Sequence, residues 1–543
     1  MVTLDQFRSW DSHVLVAVSE NLMRRWREMA AVHDSATGEI VGYGWDGPAA
    51  AAAREVLRGI RSDLAAATAE LLRIATCTAD AAIDMASLVS ALRTVEEAAT
   101  ADRFIVESDG AVTDTSAPYS VASADLWATR RERRRHREEL ADRIAQLVRT
   151  ATDFDDALAR RLAGQASAEA IATAVAASVP GDATAAANAA FWSALSPAAR
   201  TRMLVEQPAL IGSLDGLPGR VRDSANRRVL AAERIRLRAA EEELRKELDA
   251  NRFGGIFTNA DAGLEQTRAR MASLDAIDAT VARGGRQLLV LDNSSYEHTT
   301  AAIAVGDVDT ATHVAVFVPG LGSTVDGNML RYDGDMENLK SAVQQLLPED
   351  PPQTAAAVTW LDYQAPQLDW SLLDPDRTVV FGTAARAGAD RLAPFLDGLD
   401  VARAHDPHLS VLGHSYGSLT AAAALQNDTG VEDFVALGSP GLGTHSVGDL
   451  GLPVGHVFAA EADGDIVADL GAFGRDPGAL DAVTLLATDG SDGRSGSSGH
   501  SDYLTEGSTS AHNTALVVAD REENAVIRTR PGLFDLLQRL LYL

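Results

Sequence analysis

The sequence predicts an α/β fold with a mostly parallel sheet in its second half and an all-α first half, and the change falls near residue 285. Before that point the chain is rich in Ala, Arg and Glu, and its apolar residues recur at helical spacing. After it, short apolar runs alternate with helical segments and glycine-rich turns. Strands that alternate with helices are joined by right-handed crossovers, which make neighbouring strands parallel.

Composition and charge limit the classes of partner. The chain has 543 residues and a formal net charge of −29, which disfavours nucleic acid and anionic membranes because both are negatively charged. The single cysteine, Cys77, excludes an intramolecular disulfide. There is no signal-peptide pattern and no uninterrupted apolar run of ~18 residues, so no transmembrane segment is predicted. The protein is expected in the cytoplasm, or outside the cell by a leaderless route.

Two long helices joined by a tight turn are predicted in an N-terminal domain of residues 1–115. The first helix covers about residues 12–32, and Gly47 and Pro48 suit the start of the second. Their apolar faces consist of Leu15, Val18, Leu22, Trp26 and Met29 in the first helix and of Val56, Ile60, Leu64, Leu71 and Ile74 in the second. Each face has the period of an amphipathic helix, so an antiparallel helical hairpin is expected.

The turn of this hairpin resembles that of the WXG family of small helical proteins, in which a Trp-x-Gly motif separates two helices. Here the motif is Trp45 and Gly47, and the resemblance covers roughly residues 1–110. It implies a helical protein partner bound through the hairpin, and export by a type VII secretion system, which many members of the family use. The structural alternative is a tryptophan that only closes the helix pair.

Residues 116–284 are predicted as a helical linker or brace. Their clearest element is a charged helix from about Arg220 to Arg252, in which Arg and Glu are interspersed. This pattern is typical of a coiled-coil-like arm or of a helix that braces a neighbouring domain. The domain that contains the sheet is expected to cover residues 285–543.

One predicted strand leads into a five-residue turn with a serine at its centre. Seven strands are predicted, at Leu288–Leu291, Ala301–Val305, His313–Val318, Ala355–Leu361, His408–Leu412, Phe434–Leu437 and His456–Ala460. Gly413 and Gly417 flank Ser415 at the spacing Gly-x-Ser-x-Gly, and a small-residue helix follows. The glycines let the turn approach neighbouring backbone, and the turn presents the hydroxyl at a helix N-terminus. This strand–turn–helix unit predicts the α/β-hydrolase fold, with Ser415 as the nucleophile.

Two backbone amides are predicted to stabilise the oxyanion that forms when such a serine attacks a carbonyl group. One belongs to Tyr416, which directly follows the nucleophile, and the other comes from the loop after the third strand. That loop contains Gly320, Leu321 and Gly322, and glycines allow the backbone to approach a substrate closely. Leu321 is the predicted second donor, and a simple tight turn is the alternative for this loop.

The acid and the base are expected after the serine, in the order acid and then histidine. Asp465 follows the last predicted strand and precedes an Ile-Val pair, which favours it over Asp463 as the acid. His500 follows a loop rich in Gly and Ser and is the predicted base that accepts the serine proton, with His512 as the alternative. Such a triad needs no metal ion and no organic cofactor, and no metal-ligand set is predicted.

The segment from about Gly285 to Asp520 resembles an α/β-hydrolase family of unknown function that is common in actinobacteria and distantly related to lipases and cutinases. The resemblance rests on Val316–Leu321, Ala387–Leu392, the serine turn, Gly438–Gly441, the acid before Val467, and His500, Ser501 and Tyr503, and it extends to Phe191–Asn226. It implies Ser415, Asp465 and His500 as a catalytic triad, but it implies no substrate.

These features predict a serine hydrolase of the esterase or lipase-like class, which cleaves an acyl ester or a lipid-like small substrate through an acyl-enzyme. Two alternatives stay open. One is a secretion-associated interaction protein whose hydrolase fold is catalytically silent, and the other is an amidase or peptidase that acts on cell-wall material. The fold alone does not separate ester from amide hydrolysis.

Overall fold

The chain divides into two compact units. The computed structural model describes residues 1–39, 48–116, 123–164, 184–250, 259–367, 378–403, 405–427, 429–469 and 476–528. Unit 1 comprises Met1–Ser116, Arg137–Ala183 and Ala190–Arg202, and unit 2 comprises Ala117–His136, Thr184–Ala189 and Met203–Leu543. These limits differ from the predicted boundaries after residues 115 and 284, because residues 203–284 belong to the unit that contains the sheet.

Unit 1 consists of helices around one apolar core. Its elements are α1 (Leu4–Arg8), α2 (Ser12–Glu39), α3 (Pro48–Ala101), β1 (Phe104–Val106), β2 (Val112–Asp114) and the later part of α4 (Ser123–Leu162), with residues of α5 (Ala185–Ala194) and α6 (Pro197–Glu206). Phe7, Cys77, Leu92, Leu147 and Phe154 are buried in this core. The single cysteine therefore packs as a small apolar side chain.

The helices α2 and α3 correspond to the two helices predicted near the N-terminus, and they pack against each other. The hydroxyl of Ser19 in α2 donates to the carbonyl of Ala75 in α3 at 2.9 Å. Trp45 and Gly47, on which the resemblance to the WXG family rests, lie outside the described residues. A helical partner on the hairpin and type VII export therefore stay predictions.

One stretch of α3, Glu55–Ala101, is long and apolar enough to cross a membrane by length and composition alone. Its most apolar 18-residue segment has a mean hydropathy of 1.2, and 39% of that segment is buried. Cys77, Ala81 and Leu88 of this helix pack in the core of unit 1. The core helix of a globular protein meets the same criteria of length and composition. The expectation of no transmembrane segment was based on uninterrupted apolar runs alone, and it stays a prediction.

An eight-stranded sheet forms the centre of unit 2, with the strand order β10-β9-β8-β7-β5-β6-β4-β3. The strands are β3 (Arg286–Asp292), β4 (Thr300–Val305), β5 (His313–Val318), β6 (Ala355–Leu361), β7 (His408–His414), β8 (Asp433–Leu437), β9 (Val457–Ala460) and β10 (Thr484–Leu486). Only the pairs of β4 with β3 and with β6 are antiparallel. The predicted mostly parallel sheet is confirmed, and its short edge strand β10 was not predicted.

Helices cover both faces of this sheet, and each face has its own apolar core. The helices of unit 2 are α7 (Pro208–Ser213), α8 (Gly219–Ala250), α9 (Asn259–Val281), α10 (Val325–Leu346), α11 (Thr378–Val401), α12 (Tyr416–Leu425), α13 (Ile466–Asp469) and α14 (Thr509–Val518). The helices α11 and α12 pack on one face, and α8, α9, α10 and α14 pack on the other. Because β4, β5 and β6 are buried on both faces, their sequences are apolar except for Thr300, His313 and Thr359.

The charged helix α8, predicted as an arm or a brace, is attached to the edge strand β3. The amide of Leu288 donates to Oδ1 of Asp223 at 2.7 Å, and the side-chain amide of Asn226 donates to the Leu288 carbonyl at 3.0 Å. These two bonds satisfy backbone groups of a strand at the edge of the sheet, where unpaired groups are exposed to other chains. The helix therefore belongs to the sheet unit.

Candidate active site

Ser415 lies in the turn between β7 and α12 with a φ of 55° and a ψ of −130°. A positive φ is unfavourable for a residue with a side chain, so neighbouring groups must hold this conformation. The Ser415 amide donates to the carbonyl of Leu437 in β8 at 2.9 Å. The hydroxyl of Ser418 donates to the Ser415 carbonyl at 2.6 Å. The turn is thus fixed by both the adjacent strand and the helix that follows it.

The two glycines of the motif are required because neighbouring backbone occupies the space beside them. A Cβ on Gly413 would lie 2.5 Å from Cα of Ser418. A Cβ on Gly417 would lie 2.1 Å from the carbonyl oxygen of Val318 at the end of β5. Both distances are far shorter than a normal contact between heavy atoms. The sequence-based reason for small residues at these two positions is therefore confirmed.

The side chains of Ser415, His500 and Asp465 form a continuous row of hydrogen bonds. Oγ of Ser415 lies 2.7 Å from Nε2 of His500. Nδ1 of His500 lies 2.8 Å from Oδ1 and 2.9 Å from Oδ2 of Asp465. Since a carboxylate only accepts, Nδ1 carries a proton and Nε2 is the nitrogen able to accept one from the serine. The imidazole is thus held in the tautomer that general-base chemistry requires.

The carboxylate of Asp465 is buried and fully surrounded by donors. The amides of Val467 and Ala468 at the start of α13 donate to Oδ1 at 3.1 and 3.2 Å, and the hydroxyl of Tyr503 donates to Oδ2 at 2.5 Å. Burial alone would raise the pKa of Asp465, but the hydrogen bonds from His500, Tyr503 and Ala468 outweigh it and lower the pKa. The group is therefore ionised and able to orient His500.

The sequence alternatives, Asp463 and His512, are placed elsewhere. Asp463 is exposed, and its backbone carbonyl accepts from the Gly499 amide at 3.3 Å, so its main chain supports the loop that carries His500. His512 lies in α14 and lines a separate cavity with Arg494 and Glu506. Burial and the charge of Arg494 lower the pKa of His512. The structure thus brings the first choices together with Ser415 and leaves both alternatives outside the row.

His414, directly before the nucleophile, holds the loop that carries His500. Its Nε2 donates to the backbone carbonyl of His500 at 2.7 Å, and its ring lies 4.9 Å from the His500 ring and 6.4 Å from that of Phe317. Burial lowers the pKa of His414 to about 4, so the ring is neutral near pH 7. A neutral ring places no second positive charge beside His500 when that residue accepts a proton.

The loop Pro319–Ser323, which contains the predicted oxyanion donor Leu321, lies directly against the serine turn. A Cβ on Gly320 would lie 2.7 Å from Cβ of Ser415 and 3.0 Å from the amide nitrogen of Tyr416. Only a glycine allows this approach, and it brings the backbone that leads into Leu321 beside the predicted first donor. The Gly322 amide donates to the Pro366 carbonyl at 2.8 Å and is therefore used to hold the loop.

Three side chains that support the site have no role predicted from the sequence. They are His414, Tyr503 and Tyr363, whose buried hydroxyl donates to the Pro319 carbonyl at 2.6 Å and so fixes the loop before Leu321. The only sequence signal for Tyr503 is its place three residues after His500 in the segment that carries the family resemblance. The contact of Tyr363 joins the end of β6 to the loop after β5, and spacing along the chain does not reveal it.

Comparison with known proteins identifies the family of unit 2. A family model described as Alpha/beta hydrolase matches residues 295–475, a segment that includes Ser415 and Asp465 and ends before His500. An uncharacterized protein of Mycobacterium tuberculosis is 31% identical over 292 residues, which are 52% of this chain and 43% of the relative. The chain thus spans less than half the length of that relative. An uncharacterized protein of Mycobacterium bovis is 33% identical over 228 residues, which are 40% of this chain and 83% of the relative.

Solved structures show a more distant likeness. An esterase from Pyrobaculum calidifontis has 13% sequence identity and a TM-score of 0.27, with 47% of this chain and 92% of that chain covered. A thermostable esterase from Pseudomonas putida has 14% identity and a TM-score of 0.26, with 53% and 98% covered. At these values the likeness carries no argument about activity. The match to the family model and the coverage of the Mycobacterium bovis relative show that the chain belongs to the alpha/beta hydrolase family.

Proposed function

We propose that the protein is a serine hydrolase that cleaves an acyl ester through an acyl-enzyme intermediate. The observation that carries this proposal is the 2.7 Å hydrogen bond between Oγ of Ser415 and Nε2 of His500. A serine hydroxyl is a weak nucleophile until a base accepts its proton, and this distance is within the reach that proton transfer needs. Asp465 on the opposite nitrogen keeps the ring in the required tautomer.

In the proposed acylation step, Oγ of Ser415 attacks the ester carbonyl carbon while its proton moves to Nε2 of His500. The carbonyl π bond becomes an oxyanion, which accepts hydrogen bonds from the amides of Tyr416 and Leu321. When the tetrahedral intermediate collapses, the bond to the leaving oxygen breaks and His500 returns the proton to it. The products are the alcohol and an acyl ester of Ser415.

In the proposed deacylation step, the same groups act on water. His500 accepts a proton from the water, the water oxygen attacks the acyl carbonyl, and the proton then returns to Oγ of Ser415 as the acid is released. No redox partner or metal ion enters this balance. An ester is proposed as the substrate because its alcohol leaving group departs more readily than an amine does.

Hydrolysis of a short-chain p-nitrophenyl ester tests this proposal. We expect turnover by the wild type and a loss of roughly 10³-fold or more for Ser415→Ala, because removal of the nucleophile leaves only binding and oxyanion stabilisation. Ser410→Ala is the matched control, since Ser410 is a buried serine of the same strand β7, and it should retain activity. A wild type without turnover, or a Ser415→Ala variant as active as the wild type, would refute the enzyme assignment.

A matched amide separates ester from amide hydrolysis. The p-nitroanilide of the same acyl group should be cleaved with a much lower kcat/KM than the p-nitrophenyl ester. If the anilide is cleaved as well as or better than the ester, the amidase or peptidase assignment replaces the esterase assignment. Ser415→Ala should abolish whichever of the two activities the wild type has.

A further inference from the structure

We propose that Tyr503 is a positioning residue that sets how strongly Asp465 holds the protonated form of His500, and so sets the lowest pH at which His500 works as a base. This proposal rests on the proposed serine hydrolase activity, in which Asp465 acts through His500. Among the described residues, the Tyr503 hydroxyl has hydrogen bonds with Ala462 and Asp465 and none with the nucleophile or the predicted oxyanion donors. Its effect is expected on the pH dependence of the reaction, beyond any effect on packing.

The hydrogen bonds of the Tyr503 hydroxyl determine where its proton lies. The Ala462 amide lies 2.9 Å from the hydroxyl oxygen, and an amide N–H can only donate, so the hydroxyl accepts this bond. The Tyr503 proton is then directed to Oδ2 of Asp465 at 2.5 Å. This is the same oxygen that lies 2.9 Å from Nδ1 of His500. Tyr503 and His500 thus donate to one carboxylate from two sides.

The surroundings keep this arrangement intact. Tyr503 is 1% exposed, and the side chain of Asp465 is 0% exposed. Burial, together with the hydrogen bond to Asp465, raises the pKa of Tyr503, so the hydroxyl keeps its proton throughout the pH range of the reaction. The pair fits only because Gly438 lies beside it, since a Cβ there would be 2.7 Å from Oδ2 of Asp465 and 2.8 Å from Cε2 of Tyr503.

A donor on the carboxylate weakens its attraction for the imidazolium. Each hydrogen bond to an anionic oxygen withdraws part of its negative charge. Hydrogen bonds to charged groups are stronger than hydrogen bonds between neutral groups. Without the Tyr503 hydroxyl, the donors that the described residues would leave on the Asp465 carboxylate are the amides of Val467 and Ala468 besides His500. The carboxylate would then hold a proton on His500 more tightly. Since only the neutral ring accepts the serine proton, activity would be lost at a higher pH.

The pH dependence of labelling by a fluorophosphonate tests this inference without knowledge of the natural substrate. The second-order rate constant for labelling should fall at low pH, and we call that fall in its pH profile the acid limb. We expect Tyr503→Phe to move the midpoint of the acid limb to higher pH by about 0.5 to 1 unit, with a plateau rate constant within roughly 10-fold of the wild type. Phe keeps the ring, which packs 5.9 Å from the ring of His414. Tyr296→Phe is the matched control, because its hydroxyl binds Arg391 away from the site and its loss should leave the limb unmoved.

A second variant keeps the inference testable if Tyr503→Phe does not fold, which thermal unfolding will show. Site-specific replacement of Tyr503 by 3-fluorotyrosine keeps the shape but makes the hydroxyl a stronger donor, so the limb should move to lower pH. Opposite shifts for the two replacements support the inference. If the folded variants label with the wild-type acid limb, the inference is wrong while the serine hydrolase proposal stands. If the wild type does not label at all, the hydrolase proposal itself fails.

Discussion

At the scale of single residues, Asp465 and Asp463 differ in the burial of their side chains and in their hydrogen-bond partners. Asp465 and Asp463 are two residues apart, yet only Asp465 is buried and caps the start of α13 with its side chain. Oδ1 accepts the two cap amides, Oδ2 accepts the Tyr503 hydroxyl, and Nδ1 of His500 lies within 2.9 Å of both oxygens, so one side chain joins the helix, the base and the buried hydroxyl. Asp463 contributes through its backbone alone, because its side chain lies on the surface.

Paired substitutions of these two residues test the assignment of the acid. Asp465→Asn keeps the size of the side chain but removes the charge that fixes the tautomer of His500, so kcat should fall by roughly 10³- to 10⁴-fold. Asp463→Asn changes an exposed side chain and should leave kcat within a few-fold of the wild type. Ester hydrolysis measured on both variants at the same pH checks the pair. An equal loss in both, or a larger loss for Asp463→Asn, would remove Asp465 as the acid.

At the scale of elements, the serine turn is shaped by the strand before it, the helix after it and the two strands beside β7. Gly417 lies against the end of β5, and Gly413 lies against α12. The hydroxyl of Ser439, in the segment after β8, lies 2.6 Å from that of Ser418 and donates to it, because the Ser418 proton is used on the Ser415 carbonyl. A strained backbone persists only when its surroundings restrict it from several sides, and these contacts supply that restriction.

Alanine at two glycines should therefore change stability in opposite directions. Gly417→Ala brings a methyl group to 2.1 Å from the Val318 carbonyl oxygen, and we expect the free energy of unfolding to fall by about 1–3 kcal/mol or more. Gly334→Ala, in α10, meets nothing within 4 Å and should raise it by about 0.5–1 kcal/mol through better helix propensity. Urea unfolding of both variants measures these changes. Equal stability of Gly417→Ala and wild type would contradict the crowding that we describe.

The parts of this site that the sequence predicted are those that depend on local spacing. Ser415, Gly413 and Gly417 lie within five residues, and the physics of the turn restricts each of them. The order of Asp465 and His500 after the serine follows from the order of strands in the sheet, so their positions were predictable in outline. Tyr363 and His414 act through contacts between segments that are distant along the chain, for which a single sequence carries no comparable signal.

The larger elements, too, were predictable where a local sequence pattern determines them and not where contacts between distant segments do. The strands β4, β5 and β6 are mostly apolar runs, and their positions were predicted within one residue. The boundary that the sequence predicted after residue 284 does not coincide with a limit of the compact units, because α8 and α9, which have the charged surface of an independent helical segment, belong to unit 2. Their attachment to the sheet depends on a narrow apolar face that includes Leu230, Leu237 and Leu274.

At the scale of the whole molecule, the two ends of the parallel strands carry different histidine clusters. Ser415 and His500 lie at the carboxyl end of β7, whereas His408 and Asp433 are the first residues of β7 and β8, at the amino ends of these strands. Nε2 of His408 and Nδ1 of His456 each lie 2.8 Å from a different oxygen of Asp433. Because the groups of this second cluster titrate and contact one another, we expect it to link the stability of the sheet to pH.

The pKa shifts of this second cluster give the direction of that link. Burial opposes charge on His408, but the hydrogen bond and charge of Asp433 outweigh it and raise its pKa above the ordinary 6.5. The hydrogen bond to Asp433 likewise raises the pKa of His456. Burial would raise the pKa of Asp433, yet the hydrogen bonds from both rings lower it below the ordinary 3.8.

The cluster should therefore stabilise the fold most between about pH 4 and pH 6.5. Raised histidine pKa values add stability that is complete below 6.5 and is lost as the pH rises through the folded-state values, and the lowered aspartate pKa adds stability that is lost below 3.8. Asp433→Asn should destabilise the protein most inside this window and less at pH 8 to 9. Urea unfolding of both proteins across pH checks this expectation. A destabilisation independent of pH would show that the charge of Asp433 has no part in it.

Covalent labelling of the wild type, read by mass spectrometry, tests the central claim most directly. After incubation with a fluorophosphonate at neutral pH, we expect one adduct per chain, carried by the peptide that contains Ser415, and no adduct on the Ser415→Ala variant. Fragmentation of that peptide separates this serine from Ser410, Ser418 and Ser439, because no Lys or Arg lies between Arg403 and Arg475 and a tryptic digest leaves all four serines in one peptide. An unlabelled wild type, or an adduct on another serine with Ser415 unmodified, would contradict the assignment of Ser415 as the nucleophile.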